Sequence, residues 1–185
     1  MLYIFIGNPR EGKTISMTMT AKDFYDAGYT IYSNTWFSFP FTPLTRKMLL
    51  DWEKQDLNLP AKSVMCIDEL GAWFDSRNSQ NSNNKIMSYF ISQLGKFTSN
   101  KSKGLTVLGT TQYFSNIDIR GRRICSEIIE CKKLEELENE WVKVFRVWKK
   151  NDNLVLKTFK RELVLFDKKD FDLYDTQKRI TSEIN

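Results

Sequence analysis

The sequence predicts an α/β fold, a mainly parallel sheet flanked by helices with a carboxyl-terminal β-hairpin, and three observations predict it. Short apolar runs over residues 2–6, 63–67 and 105–109 have the length and unbroken hydrophobicity of strands buried on both faces. The runs give way to polar residues, as parallel strands do at a ligand-binding sheet edge. Segments with helical spacing lie between them.

The first run, Leu2-Tyr3-Ile4-Phe5-Ile6, leads directly into Gly7-Asn8-Pro9-Arg10-Glu11-Gly12-Lys13-Thr14, which fits G-x-x-x-x-G-K-S/T at every fixed position. Glycine admits backbone angles and a close approach that a Cβ would block, so Gly7 and Gly12 let successive N–H groups turn toward an anion. Pro9 stiffens the loop. Lys13 brings a point charge for β- and γ-phosphates, and the Thr14 hydroxyl suits Mg²⁺ where the next helix begins. The alternative is an ordinary glycine-bearing turn, but such turns rarely combine this spacing with the Lys and the Thr. The motif predicts a P-loop NTPase fold, with residues 7–14 holding ATP and with Mg²⁺ on Thr14.

Residues 15–27 carry Met17, Met19, Ala21, Phe24 and Tyr25 in an uneven helical pattern that stops at Gly28. Residues 29–34 alternate β-branched and aromatic side chains and predict the second strand. Trp36, Phe37, Phe39 and Phe41 then crowd together, suited either to packing over the sheet edge or to stacking on bases. Pro40 and Pro43 break the pattern before a short helix near residues 45–54. Residues 63–67 form a strand that delivers Asp68 and Glu69 to its carboxyl end. There an Asp can hold Mg²⁺ and the following Glu can activate water, which fits a RecA-like, additional-strand (ASCE) NTP hydrolase.

Residues 75–85 contain no apolar side chain and predict an exposed loop, either a solvated connection or a nucleic-acid contact through Arg77 and Lys85. An amphipathic helix over residues 86–94 follows, with Lys96, Lys101 and Lys103 beyond it. The strand at 105–112 ends in Thr110-Thr111-Gln112, where Gln112 could sense the γ-phosphate or simply belong to a polar turn. Arg120, Arg122 and Arg123, spaced by Gly121, suit an arginine donated to a neighbour's nucleotide, or a basic surface near a turn. Residues 126–131 read as a fifth core strand. Alternating segments around Asn151-Asp152-Asn153 predict a hairpin over 141–160. The division expected is an ATPase domain over 1–166 and a loosely held charged tail over 167–185.

Composition narrows the chemistry. The 185 residues, 41% hydrophobic and 14% aromatic, suit one folded domain. With no histidine, Ser-His and Cys-His hydrolases and imidazole-based zinc sites are excluded. Cys66, Cys125 and Cys131 are too scattered for a disulfide framework or paired-cysteine metal site, and Cys66 lies in an apolar run. No apolar run approaches a membrane span and the chain opens on a strand, so a soluble cytoplasmic protein is expected. The net charge of +5 equals the surplus of residues 76–131 alone, which carry eight basic and three acidic side chains. That asymmetry fits a polyanionic partner, or a solvated basic face.

The phosphate loop, the 64–70 and 73–77 segments around Asp68-Glu69, Ser88-Tyr89-Phe90-Ile91 and Thr110-Thr111-Gln112-Tyr113-Phe114-Ser115 together resemble the zonular-occludens-toxin-like and FtsK–HerA-type ATPases of viruses and plasmids. The resemblance covers residues 1–133 and leaves the last third unexplained. It implies a homo-oligomeric ring, a hexamer or pentamer, with double-stranded DNA in its channel and viral capsid or membrane-vesicle proteins as further partners. It also implies roles: Lys13 and Thr14 on the phosphates and Mg²⁺, Asp68 on Mg²⁺, Glu69 activating water, Gln112 as sensor and Arg120, Arg122 or Arg123 as finger. Filamentous-phage members carry a membrane anchor, so soluble genome packaging is the expectation here. Two other classes compete: a small-molecule kinase, which would need a substrate pocket and lid arginines, and a nucleotide-gated binding protein without motor activity. The Asp68-Glu69 pair and the strand end at Gln112 favour hydrolysis.

Overall fold

In the computed structural model, which describes residues 1–50, 59–78, 82–94, 104–136 and 142–179, the apolar runs become the centre of one mixed sheet. Strand β1 (Leu2–Ile6) leads through the loop into helix α1 (Lys13–Asp26), and then come β2 (Thr30–Ser33), β3 (Thr35–Phe37), β4 (Thr42–Pro43) and α2 (Arg46–Leu50). Strand β5 (Ser63–Ile67), the short helix α3 (Leu70–Trp73) and helix α4 (Ser82–Ser92) precede β6 (Thr106–Thr111) and α5 (Ile119–Ile124). The chain closes with β7 (Glu127–Glu136), β8 (Val142–Asp152), β9 (Val155–Phe166), α6 (Lys168–Phe171) and β10 (Tyr174–Arg179).

The sheet order is β4-β2-β5-β6-β1-β7-β8-β9. Pairing is parallel from β4 through β7 and antiparallel for β8 and β9. Alternation along β5 explains its unbroken hydrophobicity. Met65 and Ile67 join a core with Leu70, Phe74, Met87 and Phe90 on one face, while Val64 and Cys66 join Ile15, Met17, Ala21 and Phe37 on the other. Both faces of the strand are thus written in apolar residues from Val64 to Ile67.

The structure corrects four expectations. The loop predicted over 75–85 holds, among its described residues, a 3₁₀ turn at Ser76–Asn78, and helix α4 already begins at Ser82. Polar Asn84 is buried there because its amide donates to the Asp75 carbonyl and its own carbonyl accepts the Ser88 hydroxyl. Arg120, Arg122 and Arg123 stand on a helix, α5, and not at a turn. The carboxyl-terminal hairpin is longer than 141–160 and continues the main sheet through β7, with the turn at Asn153-Leu154, both at positive φ (47° and 72°). Residues 168–179, expected as a loose tail, form α6 and β10, and β10 pairs antiparallel with β3. A reciprocal capping box between Asp167 and Asp170 starts α6. Phe37 and Phe39 are buried and stacked at 4.8 Å, so the aromatic cluster packs. Lys96, Lys101 and Lys103 lie outside the described residues.

Candidate functional site

The loop after β1 is shaped by three residues at positive φ: Gly7 (149°), Arg10 (66°) and Gly12 (86°). Both glycines are also demanded by close approach. A Cβ on Gly7 would stand 2.5 Å from the Cys131 carbonyl oxygen, and one on Gly12 would stand 2.6 Å from the Val144 side chain. The Glu11 carboxylate accepts the Lys133 N–H at 2.6 Å. Strands β7 and β8 therefore brace the loop from behind.

Gly12 is the N-cap of α1, and no side chain caps that end. The unpaired N–H groups of the first turn and the positive end of the helix dipole suit an anion. Lys13 is buried, and its ammonium donates to the Asn8 carbonyl at 2.8 Å, bridging the loop from its far side. Glycine-bounded cradle, uncapped helix and inward lysine together fit a polyphosphate.

Asp68 and Glu69 leave β5 next to this cradle. The Thr14 hydroxyl donates to Asp68 Oδ1 at 3.3 Å, joining the glycine-bounded loop to the acidic segment. Thr110, wholly buried at the end of β6, donates its hydroxyl to the same Oδ1 at 2.5 Å and accepts the Glu69 N–H at 3.0 Å. From the other neighbouring strand end, the Asn34 side chain accepts the Asp68 N–H at 2.7 Å and donates to the Asp68 carbonyl at 3.0 Å. Glu69 is thereby held in a left-handed conformation (φ 54°, ψ 49°) that a non-glycine residue seldom takes without such support. Desolvation and the neighbouring Asp68 raise the Glu69 carboxyl above its ordinary range, with Lys13 acting against them. The oxygens of Thr14 and Asp68 form a hard donor set fitting Mg²⁺.

Gln112 follows β6, and its carbonyl accepts the Gly7 N–H at 3.3 Å, so it stands beside the loop. The structure does not bring the arginines to this chain's own loop: Arg120 makes a paired contact with buried Asp118 at 2.8 Å, and Arg122 donates to the Ile117 carbonyl at 2.9 Å. Arg123 is exposed. Asn8, Pro9 and Arg10 form the exposed crest of the loop.

A cleft of about 280 Å³ opens beside Lys13, Thr14 and Ile15, with Val142, Phe171 and Tyr174 across it. Burial and the nearby negative charge of Asp68 push the Tyr174 phenol up to about 12. Asn34, Thr110, Phe171 and Tyr174 were not among the residues expected at the site. Asn34 and Thr110 were legible as polar strand ends flanking Asp68, but only pairing shows that they flank it. The arm bearing Phe171 and Tyr174 had one visible signal, the Asp167-x-x-Asp170 capping pattern.

Sequence comparison matches residues 3–133 to the family described as "ATPase family associated with various cellular activities (AAA)". No curated protein matches the chain. Among solved structures, the fold is similar to the N-terminal domain of zonular occludens toxin from Neisseria meningitidis, at 16% identity and TM-score 0.60, with 94% of this chain and 98% of that one covered. It is also similar to the genome packaging NTPase B204 from Sulfolobus turreted icosahedral virus 2 in complex with ATP-gammaS, at 10% identity and TM-score 0.51, covering 86% and 96%. A third similar structure is the ATPase domain of G40P, at 11% identity and TM-score 0.53, covering 94% and 83%. At such identities the likeness is one of fold.

Proposed function

The chain belongs to the ATPase family associated with various cellular activities (AAA), and from that premise we propose that this P-loop ATPase couples ATP hydrolysis to the movement of double-stranded DNA, as a ring-forming motor that packages a viral genome. The observation that carries the hydrolytic half is the convergence on Asp68-Glu69 of Thr14 from the loop, Thr110 from β6 and Asn34 from β2. A kinase has no need of a second acid held in a strained conformation beside the first. The likeness to a genome packaging NTPase and the basic middle segment support the DNA half.

In this reading the backbone of residues 7–14 cradles the phosphates and Lys13 meets the β- and γ-oxygens. Thr14 and Asp68 would hold Mg²⁺, which when bound neutralises charge between the β- and γ-phosphates. Glu69 accepts the proton of a water that Gln112 helps orient; the water oxygen bonds to the γ-phosphorus as the bond to the bridging oxygen breaks, leaving ADP and phosphate. Arg123, the exposed member of its trio, is the one proposed to reach a neighbouring subunit's nucleotide. Arg120 and Arg122 are engaged in holding α5.

The test is ATP turnover with and without double-stranded DNA, for the wild type and Glu69→Gln, across a salt series. DNA stimulation that fades as salt weakens phosphate contacts, and turnover lost in the variant, is the expected result. Turnover indifferent to DNA in the assembled protein would overturn the translocase and move the assignment to a phosphotransferase acting on small molecules.

A further inference from the structure

We infer that the carboxyl-terminal arm, α6 with β10, is the nucleoside-binding wall of the ATP site, with Phe171 and Tyr174 receiving the base and ribose while the loop receives the phosphates. The inference rests on the phosphate loop binding a nucleoside triphosphate, as proposed above. It concerns a segment that the family match, ending at residue 133, does not reach.

The loop serves only one part of a nucleotide. Gly12, Lys13 and Thr14 supply N–H groups, an ammonium and a hydroxyl, all suited to phosphate oxygens and none to the apolar face of a base. The base needs a flat, largely apolar surface within one nucleotide's reach. The cleft beside Lys13 and Thr14, with Arg10 and Lys133 also on its lining, supplies such a surface: Val142 on β8 is aliphatic, and Phe171 and Tyr174 are aromatic. The two rings stand 6.4 Å apart at 43°, neither closed on each other nor fully buried. Phe171 and Tyr174 also pack against the α1-side core, so their positions are set by the fold. Tyr174 is partly buried on the lining of the same cleft, and the negative charge of Asp68 acts on its phenol.

The arm is anchored well enough to act as a wall. The Asp167–Asp170 capping box fixes the start of α6, and Tyr174 and Asp175 pair with Phe37 and Trp36 of β3. Lys178 lies over the Trp36 ring at 4.5 Å. The same β3 follows directly on Asn34, which clamps Asp68. Arm and metal end thus share one continuous support.

Two ligands separate the base from the phosphates: ATP and inorganic tripolyphosphate, each titrated with Mg²⁺ into the full chain by calorimetry. Stacking on an aromatic ring is worth enough that Phe171→Ala should weaken ATP about tenfold. Tripolyphosphate affinity should not change, which also reports that the loop is intact. Phe171→Leu, which keeps apolar packing without the ring, should weaken ATP in the same direction, and Phe171→Trp should retain it. ATP affinity unchanged in both Phe171→Ala and Phe171→Leu would overturn the arm as a nucleoside wall while leaving the phosphate loop standing. Parallel loss of both ligands in Phe171→Leu would overturn it too, by making the arm a support for the loop. A wild type that binds neither ligand would overturn the phosphate-loop reading itself, and the arm with it.

Discussion

At the scale of single residues, Thr110 carries more of the site than its type suggests. One hydroxyl donates to Asp68 Oδ1 and accepts from the Glu69 N–H, so it fixes both the carboxylate that faces Thr14 and the backbone turn that presents Glu69. Valine has nearly the same shape and can do neither. Thr110→Val is expected to lower kcat about 10–100-fold and raise the Mg²⁺ concentration needed for half-maximal turnover, the scale of effect seen when a group that orients a metal ligand is removed. Affinity for ATP without Mg²⁺, which the loop and Lys13 are proposed to carry, should be unchanged; a variant that lost that affinity as well would show Thr110 to be a support of the whole site. The residues proposed to bind phosphate were legible in the sequence because a loop motif is local: its spacing is its geometry. Thr110 and Asn34 were not, because their role exists only once β2, β5 and β6 lie side by side. Asn34 and Asp68 are thirty-four positions apart, and no periodicity connects them.

At the scale of elements, the buried strands were the most legible part, since a strand covered on both faces can be written in few ways. The polar segment before α4 was the least. Nothing apolar marked Ser82 to Lys85 as helical, and their helix is supported by Asn84 and Ser88 bonding to main-chain carbonyls. The β8–β9 hairpin shows a third case, in which the element was foreseen and its turn only in part, since Asn153 belongs to it while Asn151 and Asp152 end β8. Asn151 lies in β8, where its Oδ1 accepts the Leu154 N–H across the turn at 3.0 Å and its amide donates to the carbonyls of Arg122 and Cys125 at 2.7 and 2.8 Å, tying the hairpin to the end of α5. The turn falls on Asn153 and Leu154, and the left-handed φ of 72° is poorly suited to a leucine. A two-residue turn with both residues at positive φ favours Asn-Gly. Leu154→Gly is therefore expected to stabilise the protein by about 1 kcal/mol, read as a shift of the urea midpoint at constant m-value. A destabilisation of similar size would mean that the half-exposed leucine packs in a way that outweighs its backbone strain.

At the scale of the whole molecule, the first strand and the last described elements, α6 and β10, meet at the phosphate loop. The amino-terminal strand delivers the loop, β7 and β8 brace it through Cys131, Lys133 and Val144, and the arm beyond β9 returns to cover its open side. Residues 168–179 read as a charged tail because their apolar members, Phe171, Leu173 and Tyr174, are few and show no clean period of their own. Their partner is β3, a three-residue strand whose buried Phe37 needs the arm as its cover. Neither segment could be recognised without the other, which is why a pattern-based reading left both out. Ending the chain after Phe166 removes the arm and opens Phe37 and its stacked neighbour Phe39 to water. Exposing one such aromatic costs about 2–3 kcal/mol, which for a chain of this size lowers Tm by roughly 5–10 °C. If the arm is only a covering for Phe37, replacing Phe37 by a polar residue in the truncated chain should restore solubility and leave ATP affinity at its full-length value. If the arm is also the nucleoside wall, the repaired truncation should regain its solubility yet bind ATP no better than tripolyphosphate, because the phosphates would still find the loop while the base would find only solvent.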